Sequence, residues 1–242
     1  MNFKNFGGDL LRLGAKRVLM SSAIALALLW IAPTLYQSST KQTQTTATAH
    51  SALASFSGVS GYNLVGSDGA IYPFNVHSHG SLVGTKLNKP IVASVSTPDG
   101  LGYWLVASDG GVFSFGDAQY YGSTGGMVLN KPIVGMASTP DGKGYWLVAS
   151  DGGVFSFGDA QYYGSTGAMV LNKPIVGMAS TPDGKGYWLV ASDGGVFSFG
   201  DAQYYGSTGA MVLNKPIVGM ASTPDGLGYW LVASDGGIFS FG

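Results

Sequence analysis

The chain has 242 residues, of which 45% are hydrophobic and only 10% charged, and a formal net charge of -1. Charged residues make up roughly a quarter of an ordinary soluble domain, so solubility must rest on Ser, Thr, Asn, Gln and exposed backbone, as suits an envelope or secreted protein. Cysteine is absent, which excludes disulfides, thiolate metal ligands and thiol nucleophiles. Residues 50–242 hold 7 Lys, 12 Asp and no Arg, a poor match to the basic footprint of a nucleic-acid binder.

Lys4, Arg12, Lys16 and Arg17 precede an uncharged run from Val18 to Tyr36, most apolar over Ala23 to Ala32. This is the layout of an export signal. It predicts an N-terminal hydrophobic helix with two outcomes. Ala47-Thr48-Ala49 offers small residues at the spacing of a cleavage site, with His50 as the new N-terminus. Alternatively, the 19 uncharged residues nearly span a bilayer and stay as an anchor. Either way the basic end remains in the cytoplasm and the rest lies outside; a buried helix of a soluble domain is the remaining reading. Gln37 to Ala49, rich in Thr, Gln and Ser, reads as a flexible spacer. The expected division is 1–36 signal or anchor, 37–50 linker and 51–242 repeat domain, with membrane contact only through the N-terminal segment.

Trp104, Trp146, Trp188 and Trp230 recur every 42 residues. Within a unit, turn signals separate four short extended segments. Ile133 to Thr139 leads into Pro140-Asp141-Gly142, a type I turn with Gly at the left-handed position. Tyr145 to Ala149 is continuously β-branched and aromatic, as suits a strand covered on both faces. Ser150-Asp151-Gly152-Gly153 closes a hairpin into Val154 to Phe157, and Gln161 to Ser165 is expected as a fourth, outer strand. No segment has apolar residues at helical spacing over the length a helix needs.

Four strands in about 42 residues is the size of one propeller blade. Alternation on the second strand sends Tyr145 and Leu147 one way and Trp146 and Val148 the other. A lone blade cannot bury both faces, whereas stacked blades can. Ile133 to Asp159, reading I-V-G-M-A-S-T-P-D-G-K-G-Y-W-L-V-A-S-D-G-G-V-F-S-F-G-D, resembles a WD-repeat blade. It is also similar to the Gly-Tyr-Trp-Leu-Val-Ala-Ser-Asp-Gly-Gly repeats of exported actinobacterial proteins. The resemblance covers about residues 51–242 and implies scaffolding or ligand binding. It departs from the WD pattern where Phe157-Gly158-Asp159 stands for Trp-Asp, and no Gly-His pair precedes the blade. The expected fold is all-β, a propeller of four-stranded antiparallel blades. Copies starting at Gly61, Gly102, Gly144, Gly186 and Gly228 predict five blades, one incomplete. The first would open within residues 51–57.

Catalytic chemistry finds little support. The histidines are His50, His77 and His79, and no Gly-x-Ser-x-Gly elbow accompanies them. Alternation would put His77 and His79 on one face of a strand, but a metal site needs at least one more ligand, for which Asp68 is the candidate. With no Glu, a glycosidase pair would have to come from turn Asp residues, and Asp109, Asp151, Asp193 and Asp235 read first as hairpin formers. No enzyme activity, cofactor or metal is expected.

Binding is the better case. In a propeller, Asp109, Asp151 and Asp193 would share one face with Asn130 and Lys131, Asn172 and Lys173, and Asn214 and Lys215. Tyr120, Tyr162 and Tyr204 sit on the outer strand, where alternation exposes one of each tyrosine pair as a sugar-stacking platform. The expected partner is a protein or polysaccharide at the cell surface. The alternatives are a lectin-like glycan binder and a propeller glycosidase.

Overall fold

The structure is a computed structural model that describes residues 61–242 and two short strands, β1 (Met20–Ser21) and β2 (Ala52–Leu53), paired in parallel. The expected N-terminal helix lies outside the described residues apart from Met20–Ser21, as do the cleavage site and linker. Among the described residues there is no helix.

Five antiparallel sheets follow the repeats. The first is the hairpin β3 (Tyr62–Val65) with β4 (Ile71–Phe74). The second contains β5 (Ile91–Ser96), β6 (Gly102–Ala107) and β7 (Val112–Gly116). The third contains β8 (Ile133–Ser138), β9 (Gly144–Ala149) and β10 (Val154–Gly158). The fourth contains β11 (Ile175–Ser180), β12 (Gly186–Ala191) and β13 (Val196–Gly200). The fifth contains β14 (Ile217–Ser222), β15 (Tyr229–Ala233) and β16 (Ile238–Phe241). In each three-stranded sheet the middle strand is the Tyr-Trp-Leu-Val-Ala segment. The inner strands β5, β8, β11 and β14 contact one another in series, which is the arrangement of propeller blades.

The alternation expected of the middle strand is what joins the sheets. Trp104 and Val106 of one sheet pack with Ile133, Met136, Tyr145 and Leu147 of the next, and the same set recurs one and two repeats later. Trp104, Trp146 and Trp188 are completely buried. At ~25 cal/mol per Å² and roughly 150 to 250 Å² per aromatic side chain, each is worth about 4 to 6 kcal/mol before entropy. Each indole N–H also finds an acceptor, as in Trp146 Nε1 to the Gln161 carbonyl at 2.8 Å. Inner strands approach closely enough that a Cβ on Gly135 would stand 3.4 Å from the Gly177 Cα.

The fourth strand of the expected blade does not form. Gln119 to Ser123 and its copies are irregular, because their backbone groups are taken by side chains. The Tyr145 hydroxyl, from the next sheet, accepts from the Tyr121 and Gly122 N–H groups at 3.1 and 3.0 Å and donates to the Gly122 carbonyl at 2.6 Å. The Gln119 carbonyl is held by Trp104 Nε1 at 2.7 Å. The segment is thus a strap from one blade to the next. The blades are three-stranded sheets with a strap, and the first, among the described residues, has two strands. Ala52–Leu53 falls within the expected opening segment, but it pairs with β1 and not in the β3 ladder.

Candidate functional site

Each blade has two chemically different ends. At the hairpin end, Asp109 Oδ1 accepts the Gly111 N–H at 3.0 Å and closes the Ser-Asp-Gly-Gly turn; Asp151 and Asp193 do the same at 3.0 Å. The loop that leads to the next inner strand is pinned to these turns. Thr124 N–H donates to the Gly110 carbonyl at 3.1 Å, Ile133 N–H to Ser108 at 2.9 Å, and Ser150 N–H to Pro132 at 2.9 Å. Asn130, Lys131, Asn172, Lys173, Asn214 and Lys215 are exposed. The structure therefore brings the Asn-Lys pairs and the hairpin Asp residues to one end, as expected. The Asp carboxylates are occupied in turn formation. Beside the Asn-Lys pairs stand Met127 and Val128, Met169 and Val170, and Met211 and Val212, all exposed. These apolar tips were not singled out in the sequence, although the same 42-residue repetition marks them.

At the other end, the Thr-Pro-Asp-Gly turns meet the ends of the third strands. Thr97 Oγ1 accepts the Gly102 N–H at 2.9 Å and lies 2.9 Å from Asp99 Oδ1 and 3.1 Å from Asp117 Oδ1. Asp141 and Asp183 are held at a pKa of about 2, chiefly because they accept backbone N–H groups, from Lys143 and Lys185 respectively. Asp99 is lowered by the Leu101 N–H and Asp225 by the Thr223 hydroxyl. Burial raises the Tyr145, Tyr187 and Tyr229 phenols.

Tyr120, Tyr162 and Tyr204 are exposed by 58%, 55% and 55%, while their neighbours Tyr121, Tyr163 and Tyr205 are half-buried, so one of each pair faces solvent as alternation suggested. They lie on the straps and not on strands. The Tyr121 hydroxyl donates to the Gly142 carbonyl at 3.1 Å, which places the tyrosine pair at the Thr-Pro-Asp end. A six-residue strand such as Gly144–Ala149 is roughly 20 Å long, so the tyrosines and the Asn-Lys pairs do not form one patch.

The histidines are also corrected. His77 and His79 are not on a strand; His77 is exposed and His79 half-buried, its ring 6.0 Å from that of Tyr103. Asp68 is bound to the Ala70 N–H at 2.9 Å. Among the described residues no three His, Asp, Glu or Cys side chains are grouped to hold a metal.

Two further features belong to the Thr-Pro-Asp end. The inner-strand ends of four blades enclose an open cavity of about 450 Å³, lined by the Ser, Thr and Pro of Ser96 to Pro98 and its three copies, with Ser94, Met136 and Met178. Sequence reasoning passed over these serines because nothing local marks an inner strand as cavity-lining. Charge is also segregated. The hairpin end carries Asp68, Asp109, Asp151, Asp193 and Asp235 against Lys86, Lys89, Lys131, Lys173 and Lys215, so it balances. The excess carboxylates all lie at the Thr-Pro-Asp end, where only Lys143 and Lys185 offset Asp99, Asp117, Asp141, Asp159, Asp183, Asp201 and Asp225.

No protein-family model matches the sequence, and no curated protein matches it. Among solved structures, the fold is similar to a chain in the crystal structure of a mitotic checkpoint complex, with a TM-score of 0.55 and 13% sequence identity. The match covers 78% of this chain and 62% of that one, so this chain spans less than two thirds of the length of the protein it resembles. In all, 764 chains of known structure match, so the likeness marks a widespread fold and not a particular activity. The chain has a β-propeller-like fold built from repeated antiparallel sheets.

Proposed function

We propose that the protein is an exported, non-enzymatic binding or scaffolding module of the cell envelope or extracellular space, and that it meets a protein or polysaccharide partner through the Asn-Lys loops of the hairpin end. One observation carries this reading. The loop Met127-Val128-Leu129-Asn130-Lys131 is presented three times, in the same backbone setting and with the same side chains exposed, on consecutive blades. Several weak contacts to a repeating ligand then add through effective concentration, typically raising avidity by about 10²- to 10⁴-fold over one contact. The uncharged run Val18 to Tyr36 supports export, as does the similarity to repeats of exported actinobacterial proteins.

A second reading is lectin-like, with Tyr120, Tyr162 and Tyr204 as stacking platforms; it is favoured by the exposure of one tyrosine per strap. A polysaccharide and glycan array probed with the full chain in mild detergent tests both. Retention lost in the triple variant Lys131→Ala, Lys173→Ala, Lys215→Ala supports the loop reading, and loss in the triple Tyr→Ala variant supports the lectin. No retained glycan or surface protein under any condition sinks both. Sugar released from a polysaccharide and abolished by Asp→Asn substitution would overturn the non-enzymatic assignment. External protease acting on the repeats of intact cells checks the location.

A further inference from the structure

Methionine is the only sulfur in this chain, which has no cysteine. The full repeats place it in two opposite environments. Met136, Met178 and Met220 stand on the inner strands β8, β11 and β14. They pack with the tryptophans and tyrosines between blades and are only 7%, 7% and 9% exposed. Met127, Met169 and Met211 stand at the loop tips of the hairpin end and are 58%, 57% and 56% exposed. A peroxide has to reach the sulfur to oxidise it, so the two sets differ in reactivity within one molecule. Trp104, Trp146 and Trp188, the other oxidisable side chains of these blades, are completely buried.

The loops hold their thioethers outward on pinned backbone. Met127 N–H donates to the Thr124 carbonyl at 2.8 Å and closes a turn, while Thr124 N–H is tied to the Gly110 carbonyl at 3.1 Å. The turns at Met169 and Met211 close in the same way, both at 2.8 Å. Thr124, Thr166 and Thr208 are themselves fully buried. A change at the sulfur therefore alters the surface and leaves the turn in place. That surface is apolar: each methionine precedes a fully exposed valine, Val128, Val170 or Val212, with the Asn-Lys pair just beyond. The first unit supplies a sulfur-free reference. Thr85 N–H closes the same turn on the Leu82 carbonyl at 2.8 Å, so the fold accepts Thr in place of Met.

We propose that Met127, Met169 and Met211 are a modification site, at which a peroxide transfers one oxygen to each thioether and strips the binding loops of their apolar tips. In each transfer the sulfur lone pair attacks a peroxide oxygen; an S–O bond forms and the O–O bond breaks. The sulfur gives up two electrons and becomes a sulfoxide. With hydrogen peroxide, the departing hydroxide takes the proton of the transferred hydroxyl and leaves as water. A flexible apolar side chain is thereby made polar, and methionine sulfoxide reductases reverse the change. The effect on a bound partner rests on the loop reading above, whereas the oxidation itself does not.

Hydrogen peroxide treatment of the full chain, followed over time by peptide mass spectrometry, tests this. Met127, Met169 and Met211 should be oxidised about tenfold faster or more than Met136, Met178 and Met220, with far-UV circular dichroism unchanged. Sulfoxide reductases A and B with dithiothreitol should then restore all three. Similar rates for the two sets, loss of the fold as the loop methionines oxidise, or sulfoxides that the reductases do not repair would each overturn the proposal. On the polysaccharide and glycan array, oxidation should weaken what the loops retain. It should leave the triple variant Met127→Thr, Met169→Thr, Met211→Thr unaffected by peroxide. Unaltered capture by the oxidised chain would overturn the loss of the apolar tips as a switch. An array that retains nothing sinks the loop reading alone, because the oxidation rates and their repair still decide the modification.

Discussion

The first unit and the four that follow it place the same backbone contacts under different side chains. Tyr62 pairs with Phe74 as Tyr103 pairs with Phe115, yet Asn63 stands where the others have Trp, and Pro73 where they have Ser. Tyr72 and Phe74 are left 51% and 45% exposed, whereas Phe113 and Phe115 are half-buried. Asn75, at φ 56°, takes the left-handed position that Gly116 holds at 68°, a conformation Asn tolerates better than most residues. The strap to the next blade survives: His79 N–H donates to the Tyr103 hydroxyl at 3.2 Å, and that hydroxyl donates to the Gly80 carbonyl. His79 thus does with its backbone what Tyr121 does. The difference teaches that the backbone strap and its tyrosine are what a unit needs to attach to its neighbour, while the Trp supplies the bulk of its own burial.

The largest expected effect comes from removing what the first unit lacks. Trp146→Ala should cost about 3 to 5 kcal/mol in urea unfolding, because Trp146 is fully buried between two sheets. Should the loss stay below about 1 kcal/mol, the interblade core would not carry the fold. Gly152→Ala comes next, since its Cβ would lie 1.7 Å from Thr166 Oγ1 at a φ of +80°; a loss of about 2 kcal/mol or more is expected, and Gly84→Ala, which meets nothing within 4 Å, is the control for left-handed strain alone. Tyr145→Phe and Tyr103→Phe should each cost about 1 to 3 kcal/mol by leaving strap groups unpaired. Equal losses would show that the strap of the first unit works as well as the others. Asn63 Oδ1 is buried without a partner, so Asn63→Leu should leave stability unchanged or raise it by up to about 2 kcal/mol.

The smallest effect is a pH dependence confined to the later units. Asp141 and Asp183 titrate near 2 in the fold, below the ordinary 3.8. Their contribution is therefore complete above pH 3.8 and lost as pH falls towards 2. Asp141→Asn with Asp183→Asn should flatten the unfolding midpoint across that window. An unchanged acid limb would show that the turn carboxylates do not favour the fold. The stretch Phe56-Ser57-Gly58-Val59-Ser60, ahead of the first unit, offers no carboxylate to titrate there.

The sequence by itself determined the repeat, the three ladder strands of each full unit, both kinds of turn and the two-sided burial of the middle strand. These follow from chemistry local to a few residues: alternation, β-branching, Asp-Gly and Pro-Asp-Gly. Tertiary structure decided what Gln119 to Ser123 and its copies do. Their composition suits a strand, but a phenol 24 residues later in the chain claims the Tyr121 N–H, and no local pattern records that competition. It also separated Tyr120 from Lys131, gathered Ser94 and the other inner-strand ends around one cavity, and drew the excess carboxylates to one end. Those outcomes depend on which blade ends face the same way, and that is settled only when the sheets stack.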